Sequence, residues 1–206
     1  LSNAGTATGL SSVSNYILGN GLNTFTIGAA GQSVTGGSGA DTVIIAGRTA
    51  TGTYDGGASP NTLSVGGGAL GSATISNFST LTLTADENIS SATFNSTPTT
   101  LNLASHTLTL SVAQNSLLRG TVTSGSTGTA TLSNVGAAVG IRFVGSYNIQ
   151  GGSSFSLGTA AQNVAEASLG NSVVNLNGYV STGRFQNFGS LDTLFAGVTG
   201  NISAAK

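Results

Sequence analysis

The chain has 206 residues, enough for one large domain or two small ones, and a net charge of −1 from 5 basic and 6 acidic side chains. Charged residues make up 5% of the sequence, against about 25% in an ordinary globular protein. This composition argues against nucleic-acid binding and against electrostatic docking on an anionic membrane, because both need clustered lysine and arginine. No apolar run reaches the roughly 18 residues of a membrane-spanning helix, so we expect no membrane insertion.

The residue types also point to an exported protein. The sequence holds 32 glycines and no cysteine, methionine or tryptophan. Val, Ile, Leu and Phe alternate with Thr and Ser, which is typical of β-strands rather than of disorder. A chain without cysteine crosses a secretion channel unfolded without forming wrong disulfides. We therefore expect a secreted protein of the bacterial cell surface.

In chain order, residues 1–11 show no periodicity, and we expect a frayed lead-in. From residue 12 to 65 a unit of nine residues recurs. In each unit a polar residue stands at the end of a turn, and an apolar residue follows two positions later. The polar and apolar pairs are Ser14 and Tyr16, Asn23 and Phe25, Gln32 and Val34, and Asp41 and Val43. A period of nine suits a parallel β-roll or β-helix with two units per coil, whose apolar residues stack as the core.

The sequence of residues 66–206 predicts that the same all-β fold continues and forms one continuous domain with the repeat region. Apolar and small polar residues alternate in short segments, which are 73–75, 79–84, 100–103, 107–112, 120–123, 130–133, 141–144 and 154–157. The spacing of the later segments also permits a β-sandwich, so a sandwich-like C-terminal part stays open. One helix is predicted over residues 159–169, with Thr159 as its N-cap and Gly170 after its end.

Residues able to perform catalysis are scarce. The six carboxylates are Asp41, Asp55, Asp86, Glu87, Glu166 and Asp192. A glycosidase needs two of them facing each other across a cleft, whereas the adjacent Asp86 and Glu87 are predicted to form a solvated turn. His106 is the single histidine and has no thiolate to complete a zinc site. No nucleophile elbow or phosphate-binding loop occurs, so we expect no enzymatic activity.

The stretch Gly36-Gly37-Ser38-Gly39-Ala40-Asp41-Thr42-Val43-Ile44 resembles the RTX nonapeptide, glycine-glycine-x-glycine-x-aspartate-x-apolar-x. A second pattern, Asn77-Phe78-Ser79-Thr80-Leu81, is echoed by Asn187-Phe188-Gly189-Ser190-Leu191, and with the cysteine-free composition it resembles large surface-layer proteins and adhesins. The resemblance implies a right-handed parallel β-solenoid, calcium bound between its turns, and export by a type I system.

Carried over from the RTX family, the calcium ligands would be Asp41 and the carbonyls near Gly37 and Gly39. Asn23 and Asn61 occupy the aspartate position in neighbouring coils and complete the candidate metal site, with Asp55 a further acid one position out of phase. Ca²⁺ takes 6–8 oxygen ligands and usually several carboxylates. The alternative is a ladder of stacked amides that satisfies the donors of the turns without metal.

The sequence thus predicts a structural, self-associating or adhesive module of a surface-layer-like or adhesin protein, stabilised by calcium. Its partners would be further copies of itself or a cell-surface polysaccharide. Two alternatives share the solenoid fold. One is a β-helix lyase, hydrolase or epimerase acting on polysaccharide, and the other is the passenger segment of an autotransporter.

Overall fold

The computed structural model describes residues 4–68, 70–168 and 170–188, together with the backbone of residues 193–195. These residues form a parallel β-solenoid, which confirms the predicted fold class. Each strand pairs in parallel with the strand one coil further along. The number of residues from one coil to the next varies from 17, where Ser146 pairs with Asn163, to 24, where Thr100 pairs with Ser124. No helix in the described part of the chain is long and apolar enough to cross a membrane.

The elements follow one another as short strands separated by turns. The first eleven strands are β1 (Gly5–Thr8), β2 (Asn15–Ile17), β3 (Asn23–Thr26), β4 (Ser33–Thr35), β5 (Thr42–Ala46), β6 (Thr53–Asp55), β7 (Thr62–Gly66), β8 (Thr74–Ser76), β9 (Thr80–Leu83), β10 (Glu87–Asn88) and β11 (Thr93–Phe94). The remaining elements are β12 (Thr100–Asn102), β13 (Thr107–Leu110), α1 (Val112–Thr121), β14 (Ser124–Ser126), β15 (Thr129–Leu132), β16 (Ala137–Val139), β17 (Ser146–Ile149), β18 (Ser154–Ser156), β19 (Asn163–Glu166), β20 (Val173–Asn175), β21 (Phe185–Gln186) and β22 (Thr193–Phe195).

Four parallel sheets form the walls of the solenoid. Sheet A has the order β1-β3-β5-β7-β9-β12-β14, sheet B β2-β4-β6-β8-β11, sheet C β10-β13-β15-β17-β19-β21, and sheet D β16-β18-β20-β22. The first coils use sheets A and B, and the last coils use sheets C and D. Helix α1 stands where sheet B has ended and sheet D has not begun, and it packs against β16. The cross-section therefore changes along the axis.

The nine-residue pattern describes the first coils correctly. Phe25, Val43 and Leu63 are in register in sheet A and are fully buried. Their neighbours Thr24 and Thr42 are also in register and face outward, half-buried. A β-branched polar residue suits this outer position, because it favours the extended backbone and remains solvated. Alternation of side chains across the wall explains why each apolar residue reaches the core.

The lead-in is ordered rather than frayed, which corrects the expectation for residues 1–11. Gly5 to Thr8 form β1, which pairs in parallel with Asn23 to Thr26. The turn predicted at residues 86–88 is also wrong, because Glu87 and Asn88 form β10 and pair with Leu108 and Thr109. The Glu87 side chain points inward and is only 4% exposed.

The helix lies at residues 112–121, not at 159–169. Ser111 caps α1 by accepting from Gln114 N, while the Gln114 side chain accepts from Ser111 N, so both ends of a capping box are present. Residues 159–162 form a turn that leads into β19, whose pairing with β17 imposes an extended backbone. The strand expected over 120–123 is the end of α1 and the residues after it. The strand expected over 141–144 is a turn closed by Val144 N donating to Ile141 O.

The C-terminal half continues as a solenoid, so the sandwich-like alternative does not apply to the described residues. The two Asn-Phe patterns have the same local structure. Asn77 and Asn187 both adopt the left-handed conformation, with φ of 59° and 63°. Phe78 is buried, and Phe188 packs against the core. The remainder of the second copy, from Gly189 to Leu191, lies outside the described residues, as does Asp192.

Candidate functional site

The predicted metal site lies where the chain enters sheet A. Asn23 is the first residue of β3, while Asp41 and Asn61 immediately precede the equivalent strands β5 and β7. All three side chains are buried, with at most 2% of each exposed. They stack from coil to coil because each strand is in register with the next. We call these three residues the polar ladder.

Hydrogen bonds connect the rungs of the polar ladder. Asn23 donates to Asp41 Oδ1 from its main-chain nitrogen at 3.1 Å and from Nδ2 at 2.8 Å. Gly37 N donates to Asp41 Oδ2 at 3.0 Å. One coil further, the main-chain nitrogen of Asp41 donates to Asn61 Oδ1 at 2.7 Å. Both carboxylate oxygens of Asp41 thus accept from N–H groups of the surrounding turns.

The remaining candidate metal ligands, which are the Gly37 carbonyl, Gly39 and Asp55, make contacts outside the polar ladder. The carbonyl of Gly37 accepts from Ala58 N at 3.1 Å. Gly39 packs so closely on the previous coil that an added Cβ would lie 2.1 Å from Gly21 O. Asp55 Oδ1 accepts from Gly57 N at 2.9 Å and from Asn77 Nδ2 at 2.8 Å. The Asp55 carboxylate therefore stabilises its own turn and the next coil.

This donor set does not fit the oxygen shell of Ca²⁺. The ladder presents one carboxylate, whose oxygens already face three N–H donors, whereas a calcium ion needs 6–8 oxygens. Asn23 Oδ1 is a single buried oxygen without a hydrogen-bond partner. Within the described residues no three His, Cys, Asp or Glu side chains converge as metal ligands. The geometry resembles the amide ladder, and calcium binding stays a prediction.

Buried glutamines form a second polar system, of which the nine-residue pattern identified Gln32 as an in-phase polar residue but not Gln114 or Gln162. The Gln32 Oε1 atom accepts from Gly28 N at 2.6 Å and from Ala29 N at 3.2 Å, inside its own turn. Its Nε2 atom donates to Leu10 O at 2.7 Å and Val13 O at 2.9 Å, in the preceding coil. One side chain thus closes a turn and connects it to the preceding coil. We call this arrangement a glutamine bridge.

The same bridge recurs far along the chain. Gln162 Oε1 accepts from Gly158 N at 2.7 Å, and its Nε2 donates to Ile141 O at 2.7 Å and Val144 O at 2.9 Å. Gln114 donates in the same way to two carbonyls of the preceding coil. The signal in the sequence was a glycine four residues before the glutamine, in Gly28-Ala29-Ala30-Gly31-Gln32 and Gly158-Thr159-Ala160-Ala161-Gln162.

Two buried carboxylates each have one oxygen atom without a hydrogen-bond partner. Burial raises the pKa of Glu87 above its ordinary value of 4.5, although neighbouring backbone hydrogen bonds oppose this shift, and its Oε1 atom has no partner. Glu166 Oε1 accepts from the Ser172 hydroxyl, while Glu166 Oε2 is buried without a partner. These two acids lie in different coils. They do not form a catalytic pair of facing carboxylates.

Two shallow grooves mark the outer surface. One, of about 300 Å³, is bordered by Arg119, Arg142 and Tyr179. The other, of about 410 Å³, lies on the outer face of sheet C beside Asn148 and Arg184. No carboxylate lines either groove. His106 lies outside both, with Asp86 Oδ1 3.8 Å from its Nδ1 atom.

The comparisons with known proteins add no relative. No protein-family model matches the chain, and neither a curated protein nor a solved structure shows significant similarity to it.

Proposed function

We propose that this chain is a structural, self-associating module of a secreted protein at the bacterial cell surface, of the surface-layer or adhesin kind. The observation that carries the proposal is the parallel stacking of coils whose outward-facing strand residues are largely uncharged threonine and serine, as at Thr24, Thr42 and Thr62. Strands β1 and β2 are the edge strands of sheets A and B and contain no charged residue or proline. Proteins that avoid edge-to-edge association usually protect such strands with charge or proline. An unprotected pair of parallel edges is suited to stacking.

Exposed apolar side chains occur in the first coil and directly before β3 in the second. Leu10 and Leu22 are 67% and 68% exposed, and Val13 is 37% exposed. Their burial against a second copy would add hydrophobic stabilisation to the strand pairing. The low charge of the chain, with 5% charged residues, leaves little electrostatic repulsion between copies. We propose that the 206-residue chain stacks on another copy at its first coil, along the solenoid axis, at the position that a preceding coil of a longer chain would occupy.

Sedimentation analysis and electron microscopy test this proposal. We expect concentration-dependent association and end-to-end filaments, and we expect Leu10→Lys with Leu22→Lys to abolish both. The matched control is Leu117→Lys, because Leu117 is 51% exposed but lies on α1, away from the first coil. A strictly monomeric chain at high concentration overturns the proposal. Association that the control disrupts as strongly as the double variant also overturns it.

The enzymatic alternative has no support from a specific arrangement of residues. Neither of the two grooves described above brings two carboxylates face to face, as hydrolysis of a polysaccharide by the usual mechanism requires. Calcium stabilisation is implied only by the nonapeptide resemblance and is not part of this proposal, because the donor set of the polar ladder does not fit Ca²⁺.

A further inference from the structure

The groove beside α1 runs along the solenoid axis. It has a volume of about 300 Å³ and collects residues from four consecutive coils. Arg119 lies in the last turn of α1, Arg142 follows β16, Gly158 follows β18, and Tyr179 follows β20. Neighbouring parallel strands are about 4.8 Å apart, so three such steps extend over about 14 Å. A groove of this shape suits an extended chain better than a compact ion.

The charge of the groove is positive and is not neutralised within the protein. It contains two of the five basic residues of the chain, and no acidic side chain lines it. Neither Arg119 nor Arg142 makes an ion pair with a described carboxylate. Both side chains are exposed, and the Arg142 guanidinium lies 6.0 Å from the centre of the Phe143 ring. Two guanidinium groups are therefore available to carboxylate or sulfate groups of a ligand.

Two of the residues that line the groove, Gly140 and Gly158, have no side chain, and Val122 and Val139 line it as well. Gly140 and Gly158 are stacked so closely that a Cβ added to Gly158 would lie 2.0 Å from Gly140 O. The packing of the coils thus excludes a side chain at Gly158, and the groove stays open there. Beneath it, Gln162 accepts from Gly158 N at 2.7 Å and holds the turn in place.

The far end of the groove is formed by a fixed aromatic ring. The Tyr179 hydroxyl donates to Gly158 O at 3.1 Å, while 37% of the residue remains exposed. Asn177 donates from Nδ2 to Leu157 O at 3.2 Å, and its φ of 54° is followed by a φ of 78° at Gly178. This left-handed turn directs the tyrosine back over the preceding coil. An exposed, immobilised aromatic ring offers an apolar face at little entropic cost.

From these features we propose that the groove binds an acidic polysaccharide, with carboxylate or sulfate groups paired to Arg119 and Arg142 and a sugar ring packed on Tyr179. The proposal specifies the polysaccharide partner of the proposed surface module. It does not depend on self-association, because the groove lies on the side wall. A nucleic acid or an anionic membrane fits less well, since both are bound through many more basic residues than this surface holds.

Titration calorimetry tests the site with three soluble probes, which are polygalacturonate oligosaccharides, heparin fragments and neutral dextran. Measurements use the full chain at concentrations below those at which it associates, so that binding is read independently of stacking. We expect binding of one or both acidic probes and none of dextran. We expect Arg119→Gln and Arg142→Gln each to weaken binding about fivefold, and the double variant about twentyfold. Polygalacturonate carries carboxylates alone, whereas heparin carries both carboxylates and sulfates. Binding of polygalacturonate therefore shows that carboxylates suffice, and binding of heparin alone shows that sulfate is required.

The control variant is Arg48→Gln, which removes one positive charge from an exposed turn outside the groove. We expect its affinity to equal that of the parent chain, and we expect Tyr179→Ala to weaken binding without changing the salt dependence. Equal loss in Arg48→Gln would show binding by net charge alone and would overturn the site. Binding of dextran as strong as that of the acidic probes, no binding of either acidic probe, or preferential binding to vesicles of phosphatidylserine and phosphatidylcholine would also overturn it.

Discussion

Asn23 donates two hydrogen bonds to a single atom of the next coil, Asp41 Oδ1, from its main-chain nitrogen at 3.1 Å and from Nδ2 at 2.8 Å. Both residues are buried, so the carboxylate carries out a structural task that a solvated acid could not. It satisfies donors that the turn would otherwise leave unpaired, and unpaired buried donors are costly. The polar ladder thereby fixes the register between successive coils of sheet A.

Removing this carboxylate should destabilise the fold strongly. We expect Asp41→Ala to lower the free energy of unfolding by about 3–5 kcal/mol, because three N–H donors lose their acceptor. Asp41→Asn keeps one acceptor and should cost about 1–2 kcal/mol, since its new amide group would face Gly37 N. Urea denaturation at neutral pH measures both. A loss below 1 kcal/mol for the alanine variant would show that the ladder does not hold the coils in register.

The same geometry gives an expected result for calcium. Because the oxygens of Asp41 already accept from N–H groups, we expect the melting temperature to be the same in calcium and in a chelator. Scanning calorimetry under both conditions provides the measurement, with magnesium as the control cation. An increase of several degrees in calcium alone that disappears in Asp41→Asn would instead establish the calcium site of the nonapeptide.

The local repeat could be predicted from sequence, whereas the changes of cross-section could not. The period of nine appears directly in residues such as Phe25 and Val43, because each coil repeats the same inward position. Helix α1 and the start of sheet C at Glu87 depend on how one coil stacks on the next, and no local pattern encodes that register. The segment 159–169 has helix-forming residues, but the Gln162 bridge and the pairing of β19 with β17 override their propensity.

Only part of the candidate site could be predicted, because the repeat places some of its residues and the stacking of the coils places the others. Asn23 and Asp41 follow from the period and Asn61 from a wider step of 20 residues, and the structure brings the three together. Asp55 lies at the end of β6 in register with Thr35, not in a turn, and its carboxylate bonds elsewhere. The groove beside α1, which we call the arginine groove, could not be anticipated, because Arg119 and Arg142 are placed together only by the helix and the following turn.

The glutamine bridges should contribute more stability than an ordinary surface amide. Gln162→Ala removes two donors and an acceptor that connect two coils, so we expect the free energy of unfolding to fall by about 2–4 kcal/mol. The matched control is Gln186→Ala, an exposed glutamine of β21, for which we expect a change within about 0.5 kcal/mol. Urea denaturation compares the two variants. Equal effects would contradict a structural role for the bridge.

The buried Glu87 predicts a pH dependence of stability with a definite sign. Its pKa is raised in the folded chain by burial, above the ordinary value of 4.5. Below that value both states hold the proton and the stability is complete. As the pH rises, the unfolded carboxyl ionises first, so the free energy of unfolding falls until the pH passes the folded pKa. Glu87→Gln should remove this decrease.

Denaturation of the wild type and of Glu87→Gln from pH 4 to pH 8 provides the test, because the difference between the two curves isolates this one group. The control is Asp86→Asn, since the Asp86 side chain next to it is 74% exposed. We expect that variant to retain the fall in stability. If the curves of the wild type and Glu87→Gln run parallel over the whole range, the carboxyl of Glu87 ionises equally in both states and the prediction is wrong.

Two glycine-to-alanine substitutions should have opposite signs. Gly120 lies in α1 with open space around the position of a Cβ, so Gly120→Ala should stabilise the chain by about 0.5–1 kcal/mol through helix propensity. Gly158→Ala places a Cβ 2.0 Å from Gly140 O, a contact that only a shift of the coils relieves, and should cost about 2 kcal/mol or more. Thermal melts of the two variants measure both effects. A Gly158→Ala variant as stable as the wild type would show that neighbouring coils separate easily at this corner, which contradicts the close stacking that keeps the arginine groove open.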